Sequence, residues 1–207
     1  MPLPDSNRID LSQHLIHFTK PGGGADALEV LLKILRERRL LGSADLVKGG
    51  TPCVSFTEAP FDVLAAGFNG PKGYSRYSAI GLRFPKTHVF RAGGRPVIYQ
   101  PNAEYDRLPG DLRWRHVRFE PLGEATIDWT WEREWRLPCE EFPFAEKEVE
   151  VVLPDARTEE QFIRRVEDES FHHAWQLTQV LGEVAWAYHN PNQWRILKPK
   201  AAEATPR

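Results

Sequence analysis

From residue 79 to residue 153 the chain passes through one short β-rich run after another, and no other feature narrows its fold as much. Residues 79–84, 88–90, 95–99 and 148–153 are each dense in β-branched or aromatic side chains, with turns at Pro85-Lys86 and Gly93-Gly94 separating the first three. Earlier, strands and helices alternate. Residues 15–19 read as a strand that ends at Pro21-Gly22-Gly23-Gly24, and His17 and Thr19 share one of its faces. From Asp26, a plausible N-cap, Leu28, Leu31, Leu32 and Leu35 recur at helical spacing up to Gly42. A basic last turn, Arg36 to Arg39, suits the helix dipole better than it suits a phosphate site. Residues 53–58 form a second strand with Val54 and Phe56 on one face, and Pro60 opens a helix with Phe61, Leu64, Ala65 and Phe68 as its apolar stripe. This order predicts an α+β fold with antiparallel or mixed pairing, not a doubly wound sheet.

After the strands, Thr158 and Gln161 form a capping-box pattern ahead of Phe162, Ile163 and Val166. Residues 174–186 fit a second helix or a helix running into a strand, and 194–197 fit an edge strand. Residues 101–113 read as a loop. A single domain over 13–197 is expected, with an irregular arm at 1–12 and a disordered tail at 198–207.

The composition excludes several classes. Of 207 residues 41% are apolar, enough for one core, and 27 basic against 29 acidic side chains leave a net charge of −2, so no global field draws the chain to nucleic acid or membrane. There is no basic start followed by an apolar run and no 18-residue apolar stretch, which leads us to expect a cytoplasmic protein with no membrane partner. Cys53 and Cys139 are too few for a disulfide framework and have no metal-ligand spacing, so no metal site is expected.

The densest chemistry lies in Trp129-Thr130-Trp131-Glu132-Arg133-Glu134-Trp135-Arg136. Taken as a strand, it puts Trp129, Trp131, Arg133 and Trp135 on one face and Thr130, Glu132, Glu134 and Arg136 on the other. Lining a cleft, Glu134 becomes a carboxylate able to bind a sugar hydroxyl or stabilise a developing cation; on an open strand it pairs with arginine in solvent.

Four pieces, His17-Phe18-Thr19, Val54-Ser55-Phe56-Thr57-Glu58, Pro96-Val97-Ile98-Tyr99 and Glu132-Arg133-Glu134-Trp135-Arg136, occur in an order that resembles the ADP-ribosyltransferase superfamily. The closer likeness is to prokaryotic abortive-infection proteins and to nucleic-acid-modifying toxins related to DarT, over roughly residues 14–153. The resemblance implies two mixed or antiparallel sheets forming a cleft with flanking helices. It also implies an NAD-dependent mono-ADP-ribosyltransferase, a toxin or anti-phage effector that uses NAD as a substrate and modifies an acceptor macromolecule, nucleic acid or protein. A cognate antitoxin or immunity partner would accompany it. By resemblance Glu134 is the catalytic glutamate and Glu132 the first of a Glu-x-Glu pair; His17, with Thr19 beside it, holds the adenosine ribose; Phe56 or Tyr99 stacks the nicotinamide. On residue type alone, His17 also fits a core histidine bonded to a carbonyl, and Phe56 and Tyr99 fit core aromatics. The sequence departs from the family in lacking a Ser-Thr-Ser motif and a spaced tyrosine pair, since Tyr74 and Tyr77 lie too close together.

Two other classes compete. One is a catalytically inactive binding or immunity module on the same fold. The other is a metal-independent nuclease with His17, His116 and His172-His173 as acid and base and the residues from Arg113 to Arg118 on phosphate.

Overall fold

The computed structural model describes residues 12–62, 64, 79–122, 126–188 and 194–199. Its strands are β1 (His14–Phe18), β2 (Arg39–Leu41), β3 (Cys53–Thr57), β4 (Gly81–Pro85), β5 (Arg95–Pro96), β6 (Ile98–Gln100), β7 (His116–Arg118), β8 (Glu134–Pro138), β9 (Glu141–Pro143), β10 (Glu150–Val152) and β11 (Ile196–Leu197). The α-helices whose full extent lies among the described residues are α1 (Ala27–Glu37), α2 (Lys86–Arg91) and α3 (Ala156–Leu181), and residues 61, 62 and 64 are helical as well. Seven strands form one mixed sheet in the order β11-β10-β4-β1-β3-β8-β5, and β2-β9 and β6-β7 form two-stranded ladders. The fold is therefore α+β with a mixed sheet. The expected arm at 1–12 and tail at 198–207 fall almost wholly outside the described residues, as do Ala65, Phe68, Tyr74 and Tyr77.

The main core lies on one face of the sheet. Leu28, Leu31, Leu32 and Leu35 of α1 and Phe162 of α3 meet Leu15, Val54, Phe56, Leu82, Phe84, Trp135 and Leu137 of the strands. The period of α1 thus serves the packing the sequence implies. Asp26 caps it by accepting from the Glu29 amide at 2.7 Å, while the Glu29 carboxylate accepts from the Asp26 amide at 2.8 Å. On the other face a small cluster of Ile16, Phe61 and Val152 covers one half of the sheet. The half made by β3 and β8 presents polar side chains there instead, because the register pairs Ser55 with Arg136 and Thr57 with Glu134.

Several expected boundaries move. α1 stops at Arg38, which is left-handed at φ 52°, and Arg39–Leu41 leave to pair with β9 and bury Leu40. Gly42 does not stop the helix; a Cβ there would sit 1.9 Å from the Cys139 carbonyl oxygen, so the residue permits a backbone crossing. Residues 88–90 belong to helix α2, not to a strand, since one turn after Pro85 seals Val89 completely in the core. The 95–99 run splits at Val97, with β5 pairing antiparallel to β8 and β6 parallel to β7. Residues Asn102–Arg107 and Gly110–Arg115 are 3-10 helices instead of open loop. The cap of α3 is Asp155, which accepts from the Thr158 amide, and the helix runs on to Leu181.

The sheet has one weak seam. β1 pairs with β4 at five positions, from His14 opposite Pro85 to Phe18 opposite Gly81, but with β3 only where Ile16 faces Thr57. Beyond that pair β1 and β3 part, and the candidate site opens there.

Candidate functional site

A cavity of about 710 Å³ fills the parting. β1 and the residues after it contribute His17, Phe18, Thr19 and Lys20; β3 contributes Ser55 and Phe56; β8 and the turn before it contribute Glu132, Glu134 and Arg136, with Trp129 and Trp131 on the rim. His17, Phe56 and Glu134 therefore share one pocket, as the sequence led us to expect.

Glu134 is the most constrained acid in it. Its side chain is 13% exposed. Oε1 accepts from the Ser55 hydroxyl at 3.1 Å and from Arg136 Nε at 2.8 Å, and Oε2 lies 3.4 Å from Arg136 Nη2. The Glu134 amide donates to the Tyr99 hydroxyl at 3.0 Å, and its carbonyl accepts from the Val97 amide. Arg136 is itself buried, and its Nη1 donates to the Trp114 and His116 carbonyls at 2.9 and 3.1 Å. The guanidinium thus ties the carboxylate to β7 and to the 3-10 helix before it, and both side chains are locked.

The stretch around Glu134 is not the continuous strand its alternation predicts. Thr130–Glu132 form a 3-10 turn, and β8 begins at Glu134. Arg133 between them has φ 44°, a conformation that costs a non-glycine residue about 1 kcal/mol. Its carbonyl takes the Glu58 amide, and the Thr57 hydroxyl donates to the Glu132 carbonyl, so β3 clamps the turn from both sides. In consequence Glu132 lines the cavity from the turn, not one pleat along from Glu134. Trp135 leaves the other tryptophans for the core, where its Nε1 donates to Glu58 Oε2 at 2.8 Å while Lys86 donates to Glu58 Oε1 at 2.7 Å.

His17 stands across the seam. Its Nδ1 donates to the Ser55 carbonyl at 2.8 Å, so Nδ1 carries the proton and Nε2 is an acceptor while the ring is neutral. Burial, with a smaller contribution from Lys20, holds its pKa below the ordinary value of 6.5 despite that hydrogen bond, which keeps it neutral at neutral pH. The ring meets Phe56 edge-on at 5.9 Å. Ser55 therefore joins the two expected site residues directly, His17 through its carbonyl and Glu134 through its hydroxyl.

No family model, curated protein or solved structure matches the chain. The geometry carries the functional argument by itself.

The remaining expected site residues take supporting positions. The Thr19 hydroxyl is sealed between the Ala27 and Ile80 carbonyls, 3.0 Å from each, and fixes the end of β1. Phe56 is core, edge-on to His17, Phe84 and Phe142. Tyr99 does not line the cavity but supports Glu134 from behind, and burial pushes its phenol up to about 12, so it remains a neutral hydroxyl. The nuclease constellation is assembled only in part: His17, His116 and Arg118 all line the cavity, with His116 buried edge-on to Tyr105, but His172 and His173 are exposed on α3, away from the lining. Arg113 and Arg115 donate to backbone carbonyls, and Arg118 pairs with Glu120. Among the described residues no group of three or more His, Cys, Asp or Glu is placed to hold a metal, and no helix is long and apolar enough to cross a membrane. Cys53 and Cys139 are free thiols. Ser55 and Arg136 are the site residues the sequence did not single out, although both lie on the same strand faces as Glu134.

Proposed function

We propose that the chain is an NAD-dependent mono-ADP-ribosyltransferase that passes ADP-ribose to a macromolecular acceptor, acting as a toxin or an abortive-infection effector. The observation that carries this reading is the Ser55 link, which sets a neutral histidine and a locked carboxylate on the two walls of one cavity large enough for a dinucleotide. In this reading His17 Nε2 accepts from a ribose hydroxyl of the adenosine half, and Glu134 lies beside the nicotinamide ribose. The ribose–nicotinamide C–N bond breaks with its electron pair leaving on the ring nitrogen, and Glu134 stabilises the oxocarbenium ion that forms. A lone pair on the acceptor then closes the new bond at the same carbon, and the acceptor proton passes to Glu132 or to solvent. Hydrogen bonds from Ser55 and Arg136 keep Glu134 from reorganising during the reaction.

The test is release of free nicotinamide from NAD, measured by chromatography with total RNA, with DNA and with cell lysate as acceptors. Glu134→Gln should cut the rate by a factor on the order of 100 to 1,000 and leave NAD binding in place. Absence of release with every acceptor, or a Glu134→Gln protein as active as wild type, overturns the transferase in favour of a binding module.

A further inference from the structure

Beyond Glu134 the cavity has a second end. Arg136 leads to it, since its Nη1 donates to the His116 carbonyl and the His116 ring meets Tyr105 edge-on at 5.2 Å. Lys48, Asn102 and Arg118 line the cavity there. Lys48 is held at three points. Its Nζ lies 4.1 Å from the centre of the Tyr105 ring and donates to Asn102 Oδ1 at 2.6 Å, and its backbone carbonyl accepts from the Tyr105 hydroxyl at 3.2 Å. Gly49, at φ 94°, permits that approach, because a Cβ there would fall 2.5 Å from the Tyr105 oxygen. Both partners of the ammonium group are neutral, and among the described residues no carboxylate forms an ion pair with it; Asp45, exposed on the same loop, lies beyond ion-pair reach. Lys48 therefore keeps its charge uncompensated and retains two further N–H donors. Asn102, with its oxygen given to Lys48, retains both N–H groups of Nδ2. Glu120 fixes the other side by accepting from the Asn102 amide at 3.2 Å and from Arg118 Nη2, which leaves Nε and Nη1 of Arg118 as donors.

We propose that Lys48, Asn102 and Arg118 form a phosphate site for the backbone of a single-stranded nucleic acid; that this strand is the acceptor rests on the transferase reading. The donor set selects the ligand. An ammonium, an amide and a guanidinium offer N–H groups with no acceptor left over, which suits phosphate oxygens and leaves the donors of a neutral ligand unmet. The clamp on Lys48 also removes in advance much of the side-chain freedom that a surface lysine loses on binding. This phosphate is not one of NAD. With the adenosine ribose on His17 and the nicotinamide ribose at Glu134, the NAD pyrophosphate spans the stretch between those two residues, and Lys48 lies past Glu134 on the β7 side. The rim favours nucleic acid over a phosphorylated protein, because Trp129 and Trp131, half-buried there, present flat faces to unpaired bases, and stacking tolerates any base. A duplex does not fit: Glu134 is 13% exposed inside the cavity, where a stacked and paired nucleotide does not reach. The net charge of −2 supplies no general attraction, so binding depends on these few contacts.

The experiment is fluorescence anisotropy of the full chain, without NAD, against a labelled mixed-sequence single-stranded oligonucleotide in DNA and in RNA form. Wild type should bind at least one of the two. Lys48→Met and Arg118→Gln should each weaken binding about tenfold and lower the slope of log affinity against log salt by about 0.7, the signature of one lost phosphate contact. Lys48→Arg keeps the charge and should retain most of the affinity. Arg164→Gln removes an equal charge from an exposed position on α3, no residue of which lines the cavity, and should bind as wild type does. If Arg118→Gln fails to fold once Glu120 loses its partner, Lys48→Met decides alone, since the partners of Lys48 are neutral. Where nicotinamide is released, Lys48→Met should raise the KM for nucleic acid and leave the KM for NAD unchanged. Binding that depends on Lys48 in a protein that releases no nicotinamide upholds the phosphate site and overturns the transferase instead. Failure of both oligonucleotides to bind, equal affinity for a duplex, a preference for a phosphopeptide, or binding indifferent to Lys48→Met overturns the proposal.

Discussion

Arg136→Met tests the site's architecture without reference to its activity. The substitution keeps the length and apolar stem of the side chain but removes every donor. Lost with them are the contacts to Glu134 at 2.8 and 3.4 Å and to the Trp114 and His116 carbonyls at 2.9 and 3.1 Å. The Glu134 carboxylate, 13% exposed, is then left with Ser55 as its remaining partner among those contacts. Removing one partner of a buried ion pair costs about 3–5 kcal/mol, because the other charge remains desolvated and uncompensated. For a chain of this length that lowers Tm on the order of 10 °C. The double variant Glu134→Gln/Arg136→Met removes the stranded charge and should recover part of the loss, giving a coupling energy of about 1–3 kcal/mol in the double-mutant cycle. Urea unfolding followed by tryptophan fluorescence measures all four proteins. Additive effects, or an Arg136→Met protein within about 0.5 kcal/mol of wild type, would falsify the claim that Arg136 holds Glu134 in place.

His17→Ala should weaken NAD binding by about 1–3 kcal/mol in calorimetry while Tm changes little, because water can reach the Ser55 carbonyl through the open cavity; an equal loss of folding stability would point to a purely structural histidine. The pKa values of His14, His17 and His116 are all lowered from 6.5, chiefly by burial, so the unfolded chain binds protons more readily than the folded one. Their contribution to stability is complete above about pH 6.5 and drains away as pH falls through and below that value, so Tm should fall between about pH 7 and pH 5, and a flat profile there would refute it. Asp26→Ala removes the cap of α1 together with the Arg165 contacts at 3.0 and 3.2 Å that tie α1 to α3, and should cost about 1–2 kcal/mol in urea unfolding; no change would mean that the capping box adds nothing.

The elements legible in the sequence are those whose pattern matches a single local rule. The leucine stripe of α1 and the Val54/Phe56 face of β3 follow their periodicity, an edge strand does form within 194–197 as β11, and Glu134 and Arg136 share the face that strand alternation gives them. The failures come where a tertiary contact outweighs local preference. His88-Val89-Phe90 are strand formers that turn helical because one turn delivers Val89 to the core. The break at Arg133 is invisible to alternation, since nothing in Glu-Arg-Glu announces a left-handed arginine. The β2-β9 ladder joins segments about a hundred residues apart, and three-residue strands leave no period to read. For the site, the sequence located Glu134 and His17 but not what joins them. Ser55 acts through its carbonyl toward one and its hydroxyl toward the other, and a backbone carbonyl carries no signature in the sequence.

Why the sheet parts where it does follows from how β1 is bound. Toward β4 it has five paired positions, and the Thr19 amide and hydroxyl both reach the Ile80 carbonyl, at 2.8 and 3.0 Å. Gly81 lets that contact close, since a Cβ there would fall 2.2 Å from the His17 carbonyl oxygen. Toward β3 there is one paired position. β1 thus belongs to β4, and any strain in joining the two halves of the sheet is released at the seam with β3. Parting the strands there withdraws the ladder partner of the Ser55 carbonyl, a group that must find another donor or water. The His17 ring supplies the donor through Nδ1, which in turn fixes the tautomer and leaves Nε2 as an acceptor. The histidine is therefore oriented by the same gap that forms the cavity, so widening the β1–β4 contact, for instance by Gly81→Ala, should disturb the His17 tautomer and the cavity together even though the substitution lies on the far side of β1.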